Sequence, residues 1–409
     1  MEAIELALAI IAGLLALGAL GGSLLLIVMA LRFRGAVDSA LKTAAPSFAA
    51  AATLFVPTRG DPAGLEPNLR ALLSQTYPGL QVVLVVDSRS EPLFGLCERL
   101  SAEAAPGRAI AVATEDFPGT ATASGKCAAH LRGLREARPE SEIFVFADDD
   151  IRPDPEWLGR LVAPLADEQV GVATAYRWYL SSGGGPASHI RSAWNLVGLQ
   201  IMFSEKWNFA WGGGMAMRRR DFDKWEIAKG WERAISDDYV VTISAKRENR
   251  PIRFAAAALA PAVEPVTFRE MLAWCRRQTF MTRIYDPRLW KFAVAPYLYF
   301  NGLLAVGVAL GAAAVVGFPL PLWALVASVA FVLHVPLNLV KAAIFYGAVR
   351  AMLPTHDAEL RSLRLPFFAG SSVAPFVMIY ALLKTRKLRH IEWRGRTYEV
   401  NGPLDVRPL

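Results

Sequence analysis

Long apolar stretches lie at both ends of the 409-residue chain, and a more polar region with short apolar runs lies between them. The first stretch, residues 6–31, is long enough to cross a bilayer. It follows Glu2 and Glu5 and is followed by basic residues, whereas a cleaved signal peptide carries its basic residues first. The pattern predicts a retained anchor over residues 1–32, with the N-terminus outside and the next segment in the cytoplasm.

The middle of the chain, residues 49–265, alternates short apolar runs with helical patterns. The apolar runs lie at residues 52–56, 82–86, 143–147 and 170–175, and the helical patterns lie at residues 65–75, 125–136 and 155–165. This alternation predicts an α/β domain built from parallel βαβ units. Ligands of such sheets bind at the carboxyl ends of the strands, so polar residues that follow each apolar run are the first candidates for chemistry.

Three further apolar segments follow, in a region assigned to residues 292–383. Residues 292–318 and 322–346 are long enough to cross a membrane, while residues 367–383 could cross or be re-entrant. Residues 384–409 form a basic tail that we expect in the cytoplasm. Four crossings from an outside N-terminus would leave this tail outside, so we expect that residues 367–383 do not cross.

Two segments of the middle region have the composition of helices that lie at a membrane surface. Residues 188–209 and 266–291 mix aromatic and basic residues with apolar ones. Helices of this kind pack in a protein core or lie in the bilayer interface. Trp194, Trp207 and Trp274 suit the headgroup level, so we expect these helices to hold the ligand-binding edge of the domain against the membrane.

Composition narrows the protein class. Hydrophobic residues make up 54% of the chain and charged residues 20%, which argues against a purely soluble protein and against a bundle of membrane helices alone. The three cysteines are scattered, which fits a reducing compartment. The net charge of +7 is typical of cytoplasmic loops facing anionic lipid, and without a P-loop or an RNA-binding motif we expect no nucleic-acid partner.

An acidic triplet is the strongest chemical signal. Asp148, Asp149 and Asp150 directly follow the apolar run at residues 143–147. Mg²⁺ typically takes one or two carboxylates together with substrate phosphate oxygens, and Asp148 and Asp150 have the spacing for this. The alternative is an acidic turn that caps a helix near Pro155 through Asp154.

A second acidic pair lies at a predicted helix start. Ser236 is a good N-cap, and Asp237 and Asp238 lie in the first turn, where the helix dipole favours anions. This pattern explains a helix start, and it also describes a carboxylate with a depressed pKa that accepts a proton from a hydroxyl. Upstream, residues 211–214 read Trp-Gly-Gly-Gly, which indicates a shaped pocket or a flexible turn.

Two weaker signals remain. Asp87 follows the run at residues 82–86 and could bind a nucleoside or close a simple turn. Arg276 and Arg277 could hold a diphosphate through fork-like hydrogen bonds, or they could contact lipid headgroups.

In combination these residues resemble the GT-A fold glycosyltransferases of families 2 and 21, most closely the ceramide glucosyltransferase-like and hopanoid-linked bacterial enzymes. The resemblance covers residues 52–283. It is carried by Phe-Val-Pro-Thr-Arg-Gly at 55–60, Leu-Ser-Gln-Thr-Tyr-Pro at 73–78, Gly-Lys at 125–126, and the motifs at 148–150, 211–214 and 236–239.

The resemblance implies a nucleotide-sugar donor, usually a UDP-sugar, with Mg²⁺ or Mn²⁺. By position, Asp148 and Asp150 match the metal–diphosphate motif, and Asp238 matches the general base. The donor-binding positions are Thr58, Asp87, Glu91, Lys126 and Asp149, and the acceptor-pocket positions are Trp211, Gly212, Gly213 and Asp237. The family's closing Gln/Arg-x-x-Arg-Trp motif is missing, and Arg276, Arg277 and Gln278 replace it by location only.

These features predict an inverting glycosyltransferase of the inner (plasma) membrane that moves a hexose, such as glucose, to a lipid hydroxyl. The acceptor class stays open among ceramide, diacylglycerol, hopanoid and polyprenyl phosphate. The alternative is a processive polysaccharide synthase, against which the small number of apolar segments and the missing Arg-Trp pair count. A transporter or receptor with a nucleotide-binding domain is a third hypothesis, and the missing P-loop argues against an ATP-driven transporter.

Overall fold

Strands and helices alternate through the middle of the chain, between long helices near its two ends. The computed structural model describes residues 2–43, 48–117, 124–393 and 395–409. The helices are α1 Glu2–Lys42, α2 Pro62–Leu73, α3 Pro92–Glu103, α4 Gly125–Gly133, α5 Trp157–Val162, α6 Pro186–Leu199, α7 Arg219–Lys224, α8 Ile227–Trp231, α9 Asp237–Arg247, α10 Phe268–Tyr285, α11 Pro287–Val315, α12 Leu322–Met352, α13 Asp357–Ser362 and α14 Arg364–Thr385. The strands are β1 Ala52–Pro57, β2 Leu80–Val86, β3 Ala109–Ala113, β4 Ile143–Ala147, β5 Val172–Thr174, β6 Arg177–Tyr179, β7 Gly214–Arg218, β8 Ile252–Phe254, β9 Ala260–Ala262, β10 His390–Trp393, β11 Arg396–Gly402 and β12 Asp405–Pro408.

A seven-stranded sheet forms the centre of the middle region, in the order β3-β2-β1-β4-β7-β5-β8. Strands β1 to β4 pair in parallel, and every residue of β1, β2 and β4 is buried because helices cover both faces. The expected α/β fold with flanking apolar helices is confirmed. Strand β7 runs antiparallel to β4 and β5, which the sequence pattern did not indicate because Gly214 and Ala216 make the strand poor in β-forming residues.

The register of the parallel strands brings their carboxyl ends to one edge. Phe55 of β1 lies opposite Val83 of β2 and Phe146 of β4. The residues that follow these strands, Asp87 and Asp148 among them, therefore lie at the same edge of the sheet. This is the edge at which open α/β sheets bind their ligands.

Four helices, α1, α11, α12 and α14, are long and apolar enough to cross a membrane. Helix α14 contacts the α/β domain near both of its ends. Phe367, near its start, packs on Trp178 of β6 with ring centroids 5.6 Å apart and on Tyr346 of α12 with ring centroids 4.5 Å apart. Just after its end, the Leu388 carbonyl accepts a hydrogen bond from Arg283 of α10.

Helix α14 is continuous and lies along the domain. A Cβ on Gly370 would lie 2.6 Å from the carbonyl oxygen of His189, so α14 packs closely on the backbone of α6. The segment at residues 367–383 therefore forms no re-entrant turn. Helices α6 and α10 are covered by α14, and Trp194, which the pattern placed at the headgroup level, is instead a core residue packed on Trp274.

The C-terminal tail folds into a three-stranded antiparallel sheet, β10-β11-β12. Its apolar side chains, including Tyr398 and Val400, pack in one cluster with Phe280 and Tyr285 of α10 and with Ile235. The pattern indicated only a basic tail, because the apolar residues of these short strands are few and separated by charged ones. The tail is therefore part of the catalytic domain's structure.

Candidate active site

The acidic triplet lies at the end of β4, and its two outer members face the cleft. Asp148 Oδ1 lies 2.7 Å from Lys126 Nζ. Arg177 forms ion pairs with Asp148 through one guanidinium nitrogen and with Asp150 through the other. The second carboxylate oxygen of Asp150 is buried and has no hydrogen-bond partner among the described residues.

Asp149, the middle residue of the triplet, is turned into the protein. It is fully buried, and its carboxylate accepts a hydrogen bond of 2.8 Å from the backbone N–H of Arg59. Its carbonyl oxygen accepts a bond of 3.1 Å from Asn68 Nδ2 of α2. Asp149 therefore fixes the loop after β1, while Asp148 and Asp150 remain in the cleft. The turn expected at Asp154 is present as well: its carboxylate accepts the Glu156 N–H at 3.0 Å just before α5 begins at Trp157.

Lys126 connects the triplet with the second acidic pair. Its ammonium lies 3.1 Å from an Asp237 carboxylate oxygen and donates to the Gly212 carbonyl at 3.1 Å. Burial disfavours the charged form, but the neighbouring carboxylates of Asp148 and Asp237 outweigh it and raise the pKa of Lys126. The lysine is therefore charged and holds the two acidic groups together.

His130, one turn further along α4, is a site residue that the sequence reasoning missed. Its Nε2 lies 3.3 Å from Asp237 Oδ2, and its ring packs between Phe146 and Trp231. Burial lowers the pKa of this imidazole. The spacing of four residues from Lys126 is the signal that could have indicated it, because it places both side chains on one helix face.

Asp237 and Asp238 open α9 as expected, but their proton affinities differ. Ser236 is the N-cap residue, yet its hydroxyl donates to the Asp238 carboxylate instead of accepting a backbone N–H. Burial and the nearby Asp237 carboxylate raise the pKa of Asp238 to about 6, so the expected depressed pKa is wrong for this residue. Burial also opposes the ionised form of Asp237, but Lys126 and His130 hold the pKa of Asp237 below its ordinary value.

The glycines before β7 allow close packing at the base of the site. A Cβ on Gly212 would lie 2.7 Å from an Asp237 oxygen and 2.8 Å from Lys126 Nζ, and a Cβ on Gly213 would overlap the Trp211 ring. The Gly212 N–H donates to Asp238 Oδ2 at 3.1 Å. The glycines are therefore needed for close packing at this point, and the shaped pocket stays a prediction.

The donor-binding candidates on β1 and β2 lie at the same edge. Asp87 forms ion pairs with Arg59 and, at 3.0 Å, with Arg396 of β11. Thr58 is buried, and its hydroxyl donates to the Val56 carbonyl at 3.0 Å. Glu91 precedes α3 as its N-cap residue without a side-chain capping bond.

The arginines expected to replace the missing closing motif lie on α10. The Arg277 guanidinium lies over the Trp393 ring, 5.4 Å from its centroid, beside the C-terminal sheet. Arg276 and Gln278 occupy the same helix. Other arginines pair with the acids that follow β2 and β4. Arg59 and Arg396 pair with Asp87, and Arg177 pairs with Asp148. The sequence pattern did not single out these arginines as site residues.

Residues 14–403 match the sequence profile of the family described as Glycosyl transferase family 21. Among solved structures, the chain is similar to a mannosyltransferase from Pyrobaculum calidifontis in complex with GDP-Man and Mn²⁺. The two sequences are 19% identical, the TM-score is 0.48, and the match covers 93% of this chain and 99% of that chain. It is also similar to glucosyl-3-phosphoglycerate synthase from Mycobacterium tuberculosis in complex with Mn²⁺ and UDP. Here the sequences are 15% identical, the TM-score is 0.36, and the match covers 61% of this chain and 82% of that chain. No curated protein sequence matches the chain.

Proposed function

The chain belongs to glycosyl transferase family 21, and from this premise we propose that it moves a hexose from a UDP-sugar to the hydroxyl of a membrane lipid such as ceramide, with inversion. The observation that carries the proposal is the position of Asp238. Asp238 interacts electrostatically with Lys126, which pairs with the strand-end acid Asp148, and Arg177 joins Asp148 to Asp150. The domain that carries these residues is attached to long apolar helices. A proton acceptor, a diphosphate site and a lipid surface are thereby combined in one protein.

Asp238 supplies the proton acceptor. Its two carboxylate oxygens accept hydrogen bonds from the Ser236 hydroxyl and the Gly212 N–H, which fix its orientation. A pKa of about 6 leaves the group ionised at neutral pH and more basic than an ordinary aspartate. Asp238 therefore takes the proton of the acceptor hydroxyl, whose oxygen attacks the anomeric carbon opposite the leaving diphosphate. One such displacement inverts the anomeric centre.

Asp148 and Asp150 would hold the divalent ion, Mg²⁺ or Mn²⁺. Within the described part of the chain, no group of three or more His, Cys, Asp and Glu side chains is arranged as a complete metal site. Two carboxylates suit an ion that completes its coordination with donor phosphate oxygens, and the unpartnered buried oxygen of Asp150 is a free ligand for it. When bound, the ion stabilises negative charge on the leaving diphosphate. Lys126 adds a positive charge on the same side of the cleft.

The membrane arrangement follows from α14. With both of its ends at the catalytic domain, α14 lies in the membrane surface, and α1, α11 and α12 cross. Large apolar side chains remain exposed on α14: Leu365, Val373, Phe376 and Leu383. Three crossings from an outside N-terminus place both the catalytic domain and the C-terminal sheet in the cytoplasm, at the inner membrane. A lipid acceptor can then reach Asp238 without full extraction, which would cost about 0.8 kcal/mol per CH₂.

Lipid mass spectrometry tests the function. Lipid extracts are compared from cells that express the wild-type protein, the Asp238→Asn variant or neither. We expect a hexosylated lipid class in the wild-type extract alone, whose mass identifies the acceptor class and shows that the added sugar is a hexose. A wild-type extract identical to that of the Asp238→Asn cells, with new polysaccharide in its place, would contradict the lipid acceptor.

A further inference from the structure

Arg177 contacts both carboxylates to which the proposed function assigns the divalent ion. One guanidinium nitrogen pairs with Asp148 and another with Asp150. The guanidinium is largely buried, and the Trp211 ring lies 4.8 Å from it. The backbone is fixed as well, since Asn195 Nδ2 donates to the Arg177 carbonyl at 2.9 Å. The side chain is therefore held against oxygens that a metal ion would use.

The protein's own cations already contact both of the carboxylates that would hold the ion. Among the described residues, Asp148 pairs with Arg177 and with Lys126, which also pairs with Asp237, and Asp150 pairs with Arg177. Burial disfavours the charged guanidinium, but the Asp150 and Asp148 carboxylates outweigh it and keep the pKa of Arg177 well above its ordinary value. A divalent ion that enters by itself finds the other Asp150 oxygen free, but it meets the positive charge of Arg177 there and has to compete with it for Asp148.

A donor diphosphate changes this balance. It brings negative oxygens into the cleft, and a guanidinium binds phosphate oxygens in a bidentate geometry. An arginine displaced from Asp148 and Asp150 therefore has a new anionic partner only when the donor is present. The face of the neighbouring Trp211 ring attracts cations, and it lies 4.8 Å from the guanidinium.

We propose that Arg177 is a positioning residue that acts as a tethered counter-cation: it neutralises Asp148 and Asp150 before the substrate binds and turns to the donor diphosphate when the ion enters. The inference rests on the proposed metal site and goes beyond it. Its consequence is that the divalent ion and the nucleotide strengthen each other's binding, because each removes the obstacle that Arg177 presents to the other.

Mn²⁺ binding without any donor tests this inference directly. The full-length protein in detergent is titrated with Mn²⁺ alone, followed by calorimetry and by the electron paramagnetic resonance of free Mn²⁺. We expect Arg177→Gln to bind Mn²⁺ at least about tenfold more tightly than the wild type, because the competing buried charge is gone. UDP or GDP should then strengthen Mn²⁺ binding by a larger factor in the wild type than in the variant.

Arg191→Gln is the matched control. Arg191 is a buried arginine of the same domain that stacks on Tyr179, 3.8 Å from its centroid, and pairs with Glu264 instead of the strand-end acids. This change should leave the Mn²⁺ affinity within about twofold of wild type. If Arg177→Gln does not fold, Arg177→Met decides by the same criterion, since methionine also removes the charge and is a flexible apolar side chain that packs well beside the Trp211 ring.

The outcomes separate this inference from the proposed function. Unchanged or weaker Mn²⁺ binding by the Arg177 variant overturns the counter-cation role and leaves the metal site intact. Absence of Mn²⁺ binding by both proteins, with and without nucleotide, overturns the metal site and this inference together. Absence of a glycosylated lipid in the cell extracts overturns the proposed acceptor alone and does not affect the Mn²⁺ comparison.

Discussion

The pKa values of the two adjacent aspartates at the start of α9 are shifted in opposite directions, because the two carboxylates have different partners. Asp237 contacts Lys126 and His130, whose interactions favour its ionised form. Asp238 lies beside that charged neighbour and accepts hydrogen bonds from neutral donors, the Ser236 hydroxyl and the N–H groups of Gly212 and Tyr239. A carboxylate next to a like charge in a buried site binds its proton more tightly.

This difference predicts the pH dependence of the reaction. Asp238 can accept a proton only when it is ionised, so kcat/KM should fall as the pH decreases through about 6. Asp237→Asn removes the neighbouring negative charge, which lowers the pKa of Asp238 and moves the acidic limb to lower pH. The measurement is kcat/KM from about pH 5 to about pH 8 for both proteins. An acidic limb that stays in place or moves to higher pH in Asp237→Asn would exclude Asp238 as its origin.

At the scale of elements, the C-terminal sheet reaches the donor side of the cleft. Arg396 of β11 pairs with Asp87 at 3.0 Å, and the Tyr398 hydroxyl accepts the Gly125 N–H at 3.0 Å, at the N-terminus of α4. The sheet is held there by apolar contacts with α10. Two separate elements of the catalytic domain, the end of β2 and the start of α4, thus depend on residues near the C-terminus.

Arg396→Met tests this dependence. Arg59 and Arg396 are the ion-pair partners of Asp87 among the described residues, so the substitution removes one of these two charges from the carboxylate proposed to bind the nucleoside. We expect KM for the donor to rise about threefold to tenfold with little change in kcat, since this contact acts in binding. Steady-state rates at saturating acceptor measure it.

The matched control for this test is Arg407→Met in the same sheet. Arg407 is largely exposed and pairs only loosely with Asp405, at 3.8 Å. This change should leave both constants near their wild-type values. Equal effects of the two substitutions would mean that the sheet responds to any loss of charge, and the specific role of Arg396 would then be excluded.

At the scale of the whole molecule, the contacts of α14 support the proposed topology. Hydropathy identifies four candidate crossings among the described residues, but both ends of α14 lie beside the α/β domain, which is expected on one side of the membrane. In the proposed arrangement, three crossings return the chain to the side of this domain. The C-terminal sheet packs on that domain, as this arrangement requires.

Cysteine labelling tests the arrangement. The turn between α11 and α12 should face outside, so Pro319→Cys in intact cells should react with a membrane-impermeant thiol reagent. Glu140→Cys, exposed on the catalytic domain, should react only after the cells are opened. The native Cys97, Cys127 and Cys275 are buried and give a low background. Labelling of Glu140→Cys in intact cells, with Pro319→Cys protected, would reverse the orientation.

The sequence by itself determined the features that depend on neighbours along the chain. The apolar runs of β1, β2 and β4 predict buried parallel strands because burial on both faces leaves a continuous apolar pattern. The polarity of the strands then places Asp148 and Asp150 at the ligand-binding edge. The acids at the start of α9 and the long apolar helices were predicted on the same local grounds.

Only the tertiary structure decided which charges meet. Arg177 pairs with acids that precede it by nearly thirty residues, with sequence separations of 29 and 27, and Arg396 reaches Asp87 from the far end of the chain. The raised pKa of Asp238 and the position of α14 likewise depend on groups that packing brings together. A local pattern specifies the burial and the period of an element, whereas the partner of a charged side chain depends on how all the elements are arranged in space.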